Sequence, residues 1–201
     1  MTGRPQLWVF AGPNGAGKST LAAKYVAGRI PIVNPDVIAR DIAPDNYAPA
    51  IMLRAGRRAI EQRRQRLAAG GTFAMETTLT GKGEIAFMRE ARQAGYKVSL
   101  VFVGLDRVDV SRTRVATRVA RGGHPVPDAD LARRFARSMA NLAVAMRIAD
   151  RVIIVDNTGE RFRLILMRGD GRGGFVSRSV PAWATAAIPA DLRTALAAGP
   201  R

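Results

Sequence analysis

The stretch LWVFAGPNGAGKSTL at residues 7–21 leaves few choices for the fold around it. An apolar run over 7–11 predicts a strand, the glycine-rich segment after it a turn, and a helix opens at Gly17 or Lys18. Gly12, four free positions (Pro13, Asn14, Gly15, Ala16), then Gly17, Lys18 and Ser19 complete the pattern of a phosphate-binding loop. Glycines at 12, 15 and 17 open backbone conformations closed to residues with a Cβ, so successive N–H groups can turn inward around an anion. The next helix adds unpaired N–H donors and the positive end of its dipole. Lys18 supplies a mobile charge for the β- and γ-phosphates, Ser19 a hydroxyl for a bridging Mg²⁺, and Thr20 a contact to the α-phosphate. A site for a nucleoside triphosphate, ATP or GTP, is expected over residues 12–20.

Downstream the pattern alternates between strand and helix. A short strand at 31–34 ends at Pro35 and Asp36, with one turn of helix over 36–41 and a loop over 43–49. A long helix spans 50–69, with Met52, Gly56, Ile60 and Leu67 at helical spacing and six arginines on its other faces. Strands follow at 72–77, 96–103, 151–155 and 162–167, separated by helices over 84–94, 108–120 and from Asp128 or Asp130 onward. In the last of these, Leu131, Phe135, Met139, Leu142 and Met146 form one apolar stripe that reads as core. The remainder, from Gly171, suggests a small hairpin, with Trp183 covering a sheet edge. Such alternation implies an α/β three-layer sandwich, a mostly parallel sheet flanked by helices, with ligands at the C-terminal strand ends. At 201 residues, with no repeat or linker, one domain is expected, its core at about 6–157 and its C-terminal strands and tail at 158–201.

The chain has no cysteine and no run of eighteen apolar residues, so neither a disulfide framework nor a membrane span is expected, and a cytoplasmic location fits. Its net charge is +16 with only four lysines, so arginine carries nearly all of it. Arginine suits bidentate phosphate recognition. A basic composition solvated on helix faces explains the same charge equally well.

Three clusters bear on the fate of the γ-phosphate. Asp36, at the end of the second strand, falls on the same sheet edge as the loop, where a carboxylate can orient an acceptor hydroxyl and take its proton. The alternative is that Asp36 merely caps the next helix. Glu76 ends an apolar strand beside Thr77 and Thr78, where it can serve Mg²⁺ or a substrate hydroxyl. A second acid for the metal is not obvious, since Asp156 and Asp106 both end apolar strands in common turn patterns. Finally, Arg114, Arg118 and Arg121 share one helix face, and Arg133, Arg134 and Arg137 follow the loop GGHPVP. Like charges at that density call for anions, and the charge developing on a transferring phosphoryl group is such an anion. A mobile lid over 122–127 that delivers the arginines is expected. His124, the one histidine, is a candidate substrate contact or a plain loop residue.

GPNGAGKSTL, NPD after the second strand, ETT after the third, and an arginine helix running into RGGHPVP and ARR together resemble the zeta toxin family of P-loop kinases over residues 7–157. The resemblance implies a P-loop kinase fold and the use of ATP and Mg²⁺ to phosphorylate UDP-N-acetylglucosamine on its sugar. It implies Lys18 on the phosphates, Ser19 on the metal and Asp36 as general base. Glu76 and Thr78 match the sugar-contacting acid and hydroxyl, and Arg118 the first of two arginines on the γ-phosphate. The second is Arg134 or Arg133, since the GGHPVP segment differs in length from those toxins. Thr77 stands where they carry a glycine, and their C-terminal extension has no counterpart. Arg121, His124 and Arg133 join Asp36, Glu76, Thr77 and Thr78 as candidate substrate contacts. An antitoxin protein is the implied partner.

Three functions fit these residues: a small-molecule kinase of the zeta type, a kinase or NTPase acting on nucleic acid, and a non-catalytic nucleotide switch. The second requires the arginines of the 50–69 helix to form a stripe leading to the loop. Aromatic residues for base stacking are few, at 6%.

Overall fold

The computed structural model describes residues 3–44, 46–169 and 174–197. The phosphate-loop unit is strand β1 (Gln6–Ala11) and helix α1 (Lys18–Val26), followed by β2 (Ile32–Val33), α2 (Pro35–Ile42) and α3 (Pro49–Ala68). Next come β3 (Phe73–Thr77), α4 (Lys82–Gln93), β4 (Lys97–Gly104), α5 (Val108–Val119), α6 (Asp128–Ile148) and β5 (Arg151–Asp156). Two antiparallel strands, β6 (Arg163–Arg168) and β7 (Phe175–Val176), and helices α7 (Ala182–Ala187) and α8 (Ala190–Ala197) complete the described residues.

The strands form one sheet in the order β2-β3-β1-β4-β5-β6-β7, parallel from β2 through β5. β1 is hydrogen-bonded to β3 on one side and β4 on the other, so the chain reverses its direction of growth across the sheet at β1. A crevice opens at that point beyond the C-terminal strand ends. Strand periodicity sends Leu7 and Val9 to one face and Phe10 to the other, all fully buried. On Phe10's face α1 contributes Leu21, Ala22 and Val26; on the opposite face α4 and α6 contribute Phe87, Met88, Leu142 and Met146. Helices therefore cover both faces, as a parallel sheet requires, and the three-layer arrangement is the one the alternating pattern predicts.

Three details differ from the sequence reading. α3 buries Ala55 and Ala59 fully, while Ile60, expected on its apolar stripe, stays 45% exposed. Met52 and Leu67 of the expected stripe pack partly buried against the core, while Met52, Gly56 and Ile60 also line the crevice. Trp183 covers no edge: its indole packs against Phe102 and fills the space where a Cβ at Gly104 would sit, over the middle of the sheet. Its Nε1 donates to Asp156 Oδ1 at 3.0 Å. The hairpin expected within the stretch from Gly171 is not formed among the described residues: that stretch gives one short strand, β7, which pairs back on β6 with Leu166 opposite Val176, while Gly171 itself lies outside the described residues. The helices α7 and α8 were not foreseen.

Candidate active site

The loop after β1 is shaped by two close approaches. Gly12 has φ +140° and lies so near the Val103 carbonyl of β4 that any Cβ would overlap it. Gly17 is the left-handed N-cap of α1, at φ 94°, against Asn157 and Phe162. The loop is braced from outside: Ser111 Oγ donates to the Asn14 carbonyl at 2.6 Å and Asn157 Nδ2 to the Ala16 carbonyl at 2.8 Å. Both braces come from elements packed on the far side of the loop, leaving its inner surface toward the crevice.

Lys18 and Ser19 open α1. Lys18 Nζ donates to the Pro13 carbonyl at 2.9 Å, folding the side chain back over the loop. Burial lowers the Lys18 pKa to about 8, with Glu76 and Asp36 opposing the shift and Arg118 adding to it. Ser19 Oγ donates to Glu76 Oε2 at 2.7 Å. Parallel pairing of β1 with β3 sets Phe10 opposite Glu76, so β3 carries the acid to the level where the loop begins. Neither alternative acid competes. Asp156 is buried and accepts from Trp183, Thr158 and Arg163, and Asp106 pairs with Arg107; neither lines the crevice.

Asp36 occupies the first turn of α2. The cap is Asn34, whose Oδ1 accepts from the Asp36 N–H at 2.9 Å, with Pro35 at the first helical position. The Asp36 carboxylate is thus not used as the cap, and it faces the crevice. Beyond Glu76, Thr77 Oγ1 accepts from the Leu79 N–H and donates to Glu84 Oε1 at 3.3 Å, and Thr78 pairs with Thr80. Leu79 takes φ 56° with its side chain fully buried and its carbonyl tied to Asn141 of α6. A left-handed leucine of this kind costs about 1–3 kcal/mol and persists only where the surroundings impose it.

These groups surround one cavity of about 690 Å³, into which Asn14, Gly15, Gly17, Lys18, Ser19, Thr20, Asp36, Glu76, Thr77, Thr78, Arg118, His124 and Arg134 open. Gly12, Pro13 and Ala16 shape the loop behind it. Of the two candidates for a second arginine, Arg134 lines the cavity, whereas Arg133 pairs at the surface with Asp130 at 2.6 Å. Arg121, one helical turn beyond Arg118, is exposed and outside the cavity. The Gly122–Gly123 turn redirects the chain there and leaves it facing solvent.

The sequence reading missed Arg57, Arg63 and Glu84 on the lining, together with the apolar wall of Met52 and Ile60, whereas Arg114 of the expected arginine face does line it. Arg63 lies over the Phe87 ring, 5.1 Å from its centroid, with its Nε buried and unpartnered. Its place in an arginine-rich helix hid it among solvated neighbours. Six cationic side chains (Lys18, Arg57, Arg63, Arg114, Arg118, Arg134) line the cavity against three acids (Asp36, Glu76, Glu84), a balance suited to anionic ligands.

Residues 7–142 match the AAA domain family. An uncharacterized protein of Haemophilus influenzae is 35% identical over 128 residues, 60% of this chain and 91% of that protein. Among solved structures, the AvrRxo1-ORF1:AvrRxo1-ORF2 complex with ATP superposes with TM-score 0.68 at 16% identity over 96% of this chain. This chain spans 63% of that one's length. The PezAT chromosomal toxin-antitoxin system of Streptococcus pneumoniae superposes with TM-score 0.61 at 17% identity, covering 78% of this chain and 69% of that one. At such identities the likeness is one of fold, and the fold is that of P-loop kinases.

Proposed function

The chain belongs to the AAA domain family, and on that premise we propose an ATP-dependent kinase that phosphorylates a hydroxyl of a small molecule, a UDP-sugar of the UDP-N-acetylglucosamine type or a related metabolite. One observation carries this reading: Ser19 and Glu76 are hydrogen-bonded at the mouth of the loop, in the cavity that also holds Lys18 and Asp36. A hydroxyl and a carboxylate side by side are the oxygen donors that Mg²⁺ takes when phosphates and water complete its shell. Bound Mg²⁺–ATP supplies the electrophilic phosphorus.

The residues of this chain do the rest. The loop N–H groups and Lys18 hold the β- and γ-phosphates, and Arg118 and Arg134 stabilise the charge that spreads over the γ-phosphoryl oxygens. Asp36 orients the acceptor hydroxyl, while Thr77 and Thr78 offer hydroxyls to its neighbours. A bond forms between the acceptor oxygen and the γ-phosphorus, and the bond to the β–γ bridging oxygen breaks. ADP leaves with that electron pair, and the acceptor proton passes to Asp36. The cytoplasm supplies such substrates. An antitoxin covering the cavity is the protein partner this reading brings with it, in keeping with the toxin-antitoxin system named for PezAT.

The nucleic-acid reading is less favoured. It requires an arginine stripe along α3, yet only Arg57 and Arg63 of that helix's arginines reach the cavity, and Met52, Gly56 and Ile60 occupy the face between. The test is ADP formation with Mg²⁺ and ATP in the presence of UDP-N-acetylglucosamine, uridine or a short RNA, with mass spectrometry of the acceptor. A phosphorylated UDP-sugar supports the proposal. Turnover stimulated by RNA alone, or by no acceptor, overturns it.

A further inference from the structure

The segment between α5 and α6 puts His124 on the cavity wall and is strapped in place. Tyr47, after α2, donates its hydroxyl to the Gly122 carbonyl at 3.0 Å, and its ring lies 5.1 Å from the His124 ring at 44°. From below, Arg118 Nη2 donates to the His124 carbonyl at 2.6 Å, and the Gly123 N–H returns to the Arg118 carbonyl at 2.9 Å. Gly122, at φ 81°, makes the turn that lets both contacts form. His124 is therefore fixed between the arginine of the phosphate side and the chain that follows Asp36. Its ring lines the cavity, and its Nδ1 is buried with no hydrogen-bond partner. Buried polar atoms are almost always partnered, so an unpartnered nitrogen in a residue of the cavity wall points to a partner that arrives with a ligand.

Resting on the kinase reading above, we propose that His124 is an acceptor-binding residue, its Nδ1 hydrogen-bonding the acceptor beside Asp36, and that Tyr47 is the strap that positions it. The groups facing the imidazole are Asp36, Arg118 and Arg134 across the cavity and the Tyr47 ring behind it. Burial lowers its pKa from 6.5, the two arginines adding to the effect and Asp36 opposing it, so the ring is neutral at pH 7 and offers either a donor or an acceptor. The same carbonyl that fixes His124 also fixes Arg118. Acceptor recognition and γ-phosphate contact are thus joined through one loop.

His124 is the one histidine in the chain, so its imidazole resonances are unambiguous in an NMR spectrum. The test titrates UDP-N-acetylglucosamine into protein holding Mg²⁺ and a non-hydrolysable ATP analogue, following those resonances, with calorimetry in parallel. The expected result is a saturable imidazole shift with the calorimetric Kd. His124→Asn, whose amide nitrogen falls near the place of Nδ1, keeps affinity within about threefold, while His124→Gln and His124→Leu weaken it about tenfold. Tyr47→Phe weakens it about fivefold through loss of one hydrogen bond. Affinity for the ATP analogue stays constant throughout, which a folding defect would not leave unchanged. Binding with no imidazole shift, or Asn and Leu variants that behave alike, overturns the proposal. No calorimetric binding removes the UDP-sugar reading and this inference together, whereas binding with His124 engaged but no ADP formed from ATP removes the kinase reading alone.

Discussion

Ser19 Oγ and Glu76 Oε2 lie 2.7 Å apart, joining the first turn of α1 to the end of β3 across the parallel pairing of β1 and β3. Two elements distant in sequence thus place their oxygens on one small volume beside the phosphate loop. On the proposed kinase reading Glu76 is the acid that serves the metal of a bound triphosphate, whereas Asp156 is held by Trp183, Thr158 and Arg163.

Glu76→Gln is therefore expected to weaken Mg²⁺ affinity of the nucleotide complex about 10–100-fold, the usual effect of removing a group that supports a metal ligand. Nucleotide binding without metal should stay near wild type. Calorimetric titration of Mg²⁺ into the protein–nucleotide complex checks this; unchanged Mg²⁺ affinity would take Glu76 away from the metal.

Asp156→Ala, by contrast, should lower stability and leave the Mg²⁺ requirement alone. Its carboxylate accepts from the Trp183 indole, the Thr158 hydroxyl and Arg163. Removing it leaves the buried Trp183 N–H without a partner, worth about 1–3 kcal/mol. Chemical denaturation and the Mg²⁺ dependence of turnover separate the two effects.

The Lys18 pKa of about 8 sets a pH dependence. Only the ammonium form attracts phosphate, and below about pH 8 that form predominates in the free protein. Nucleotide affinity should then be level from pH 6 to about 7.5. Above pH 8 it should fall by up to about tenfold per pH unit, because binding must first return the proton. At pH 8.5, calorimetry in buffers of different ionisation enthalpy should register proton uptake. Lys18→Ala should remove both the affinity and the pH dependence.

Asp36→Asn should lower kcat about 10²–10⁴-fold while sparing ATP affinity, the range expected for losing a positioned base. Asn34 caps α2, so the substitution leaves the helix start intact. Loss of ATP binding instead would make Asp36 a metal residue. Asn34→Ala should cost about 1 kcal/mol of stability through the lost cap.

The loop, the order of strands and helices, and the acids at the strand ends were legible because each rests on local chemistry: glycines at fixed offsets, apolar runs, a carboxylate after a strand. The α3 face was legible only in part. Met52 and Leu67 pack against the core as the stripe predicts, but Ala55 and Ala59 carry the full burial, and Gly56 and Ile60 line the cavity. A two-alanine face is nearly silent in a hydrophobic pattern, so the division of the stripe between core and cavity wall could not be read from it. Tyr47 and Trp183 were illegible for another reason: each acts through a partner 75 or 27 positions away, and nothing local marks such pairs.

The two arginine groups offer the sharpest separation between sequence neighbours. Arg133 and Arg134 share Asp130, yet Arg133 sits 53% exposed outside the cavity and Arg134 on its lining. An exposed pair of this type contributes about 0–1 kcal/mol, so Arg133→Ala should change neither stability nor kcat measurably. Arg134→Ala should lower kcat about 10²-fold or more with little effect on nucleotide Kd, because in the proposed role its guanidinium acts most when charge develops on the γ-phosphoryl group. Arg118→Ala should do the same and also raise the acceptor KM, since its guanidinium holds the His124 carbonyl as well. Steady-state kinetics on the three variants decide the assignment. If Arg133→Ala is the slow enzyme and Arg134→Ala the normal one, the helix must turn by about 100° on substrate binding, and the cavity lining described for α6 is that of the resting state alone.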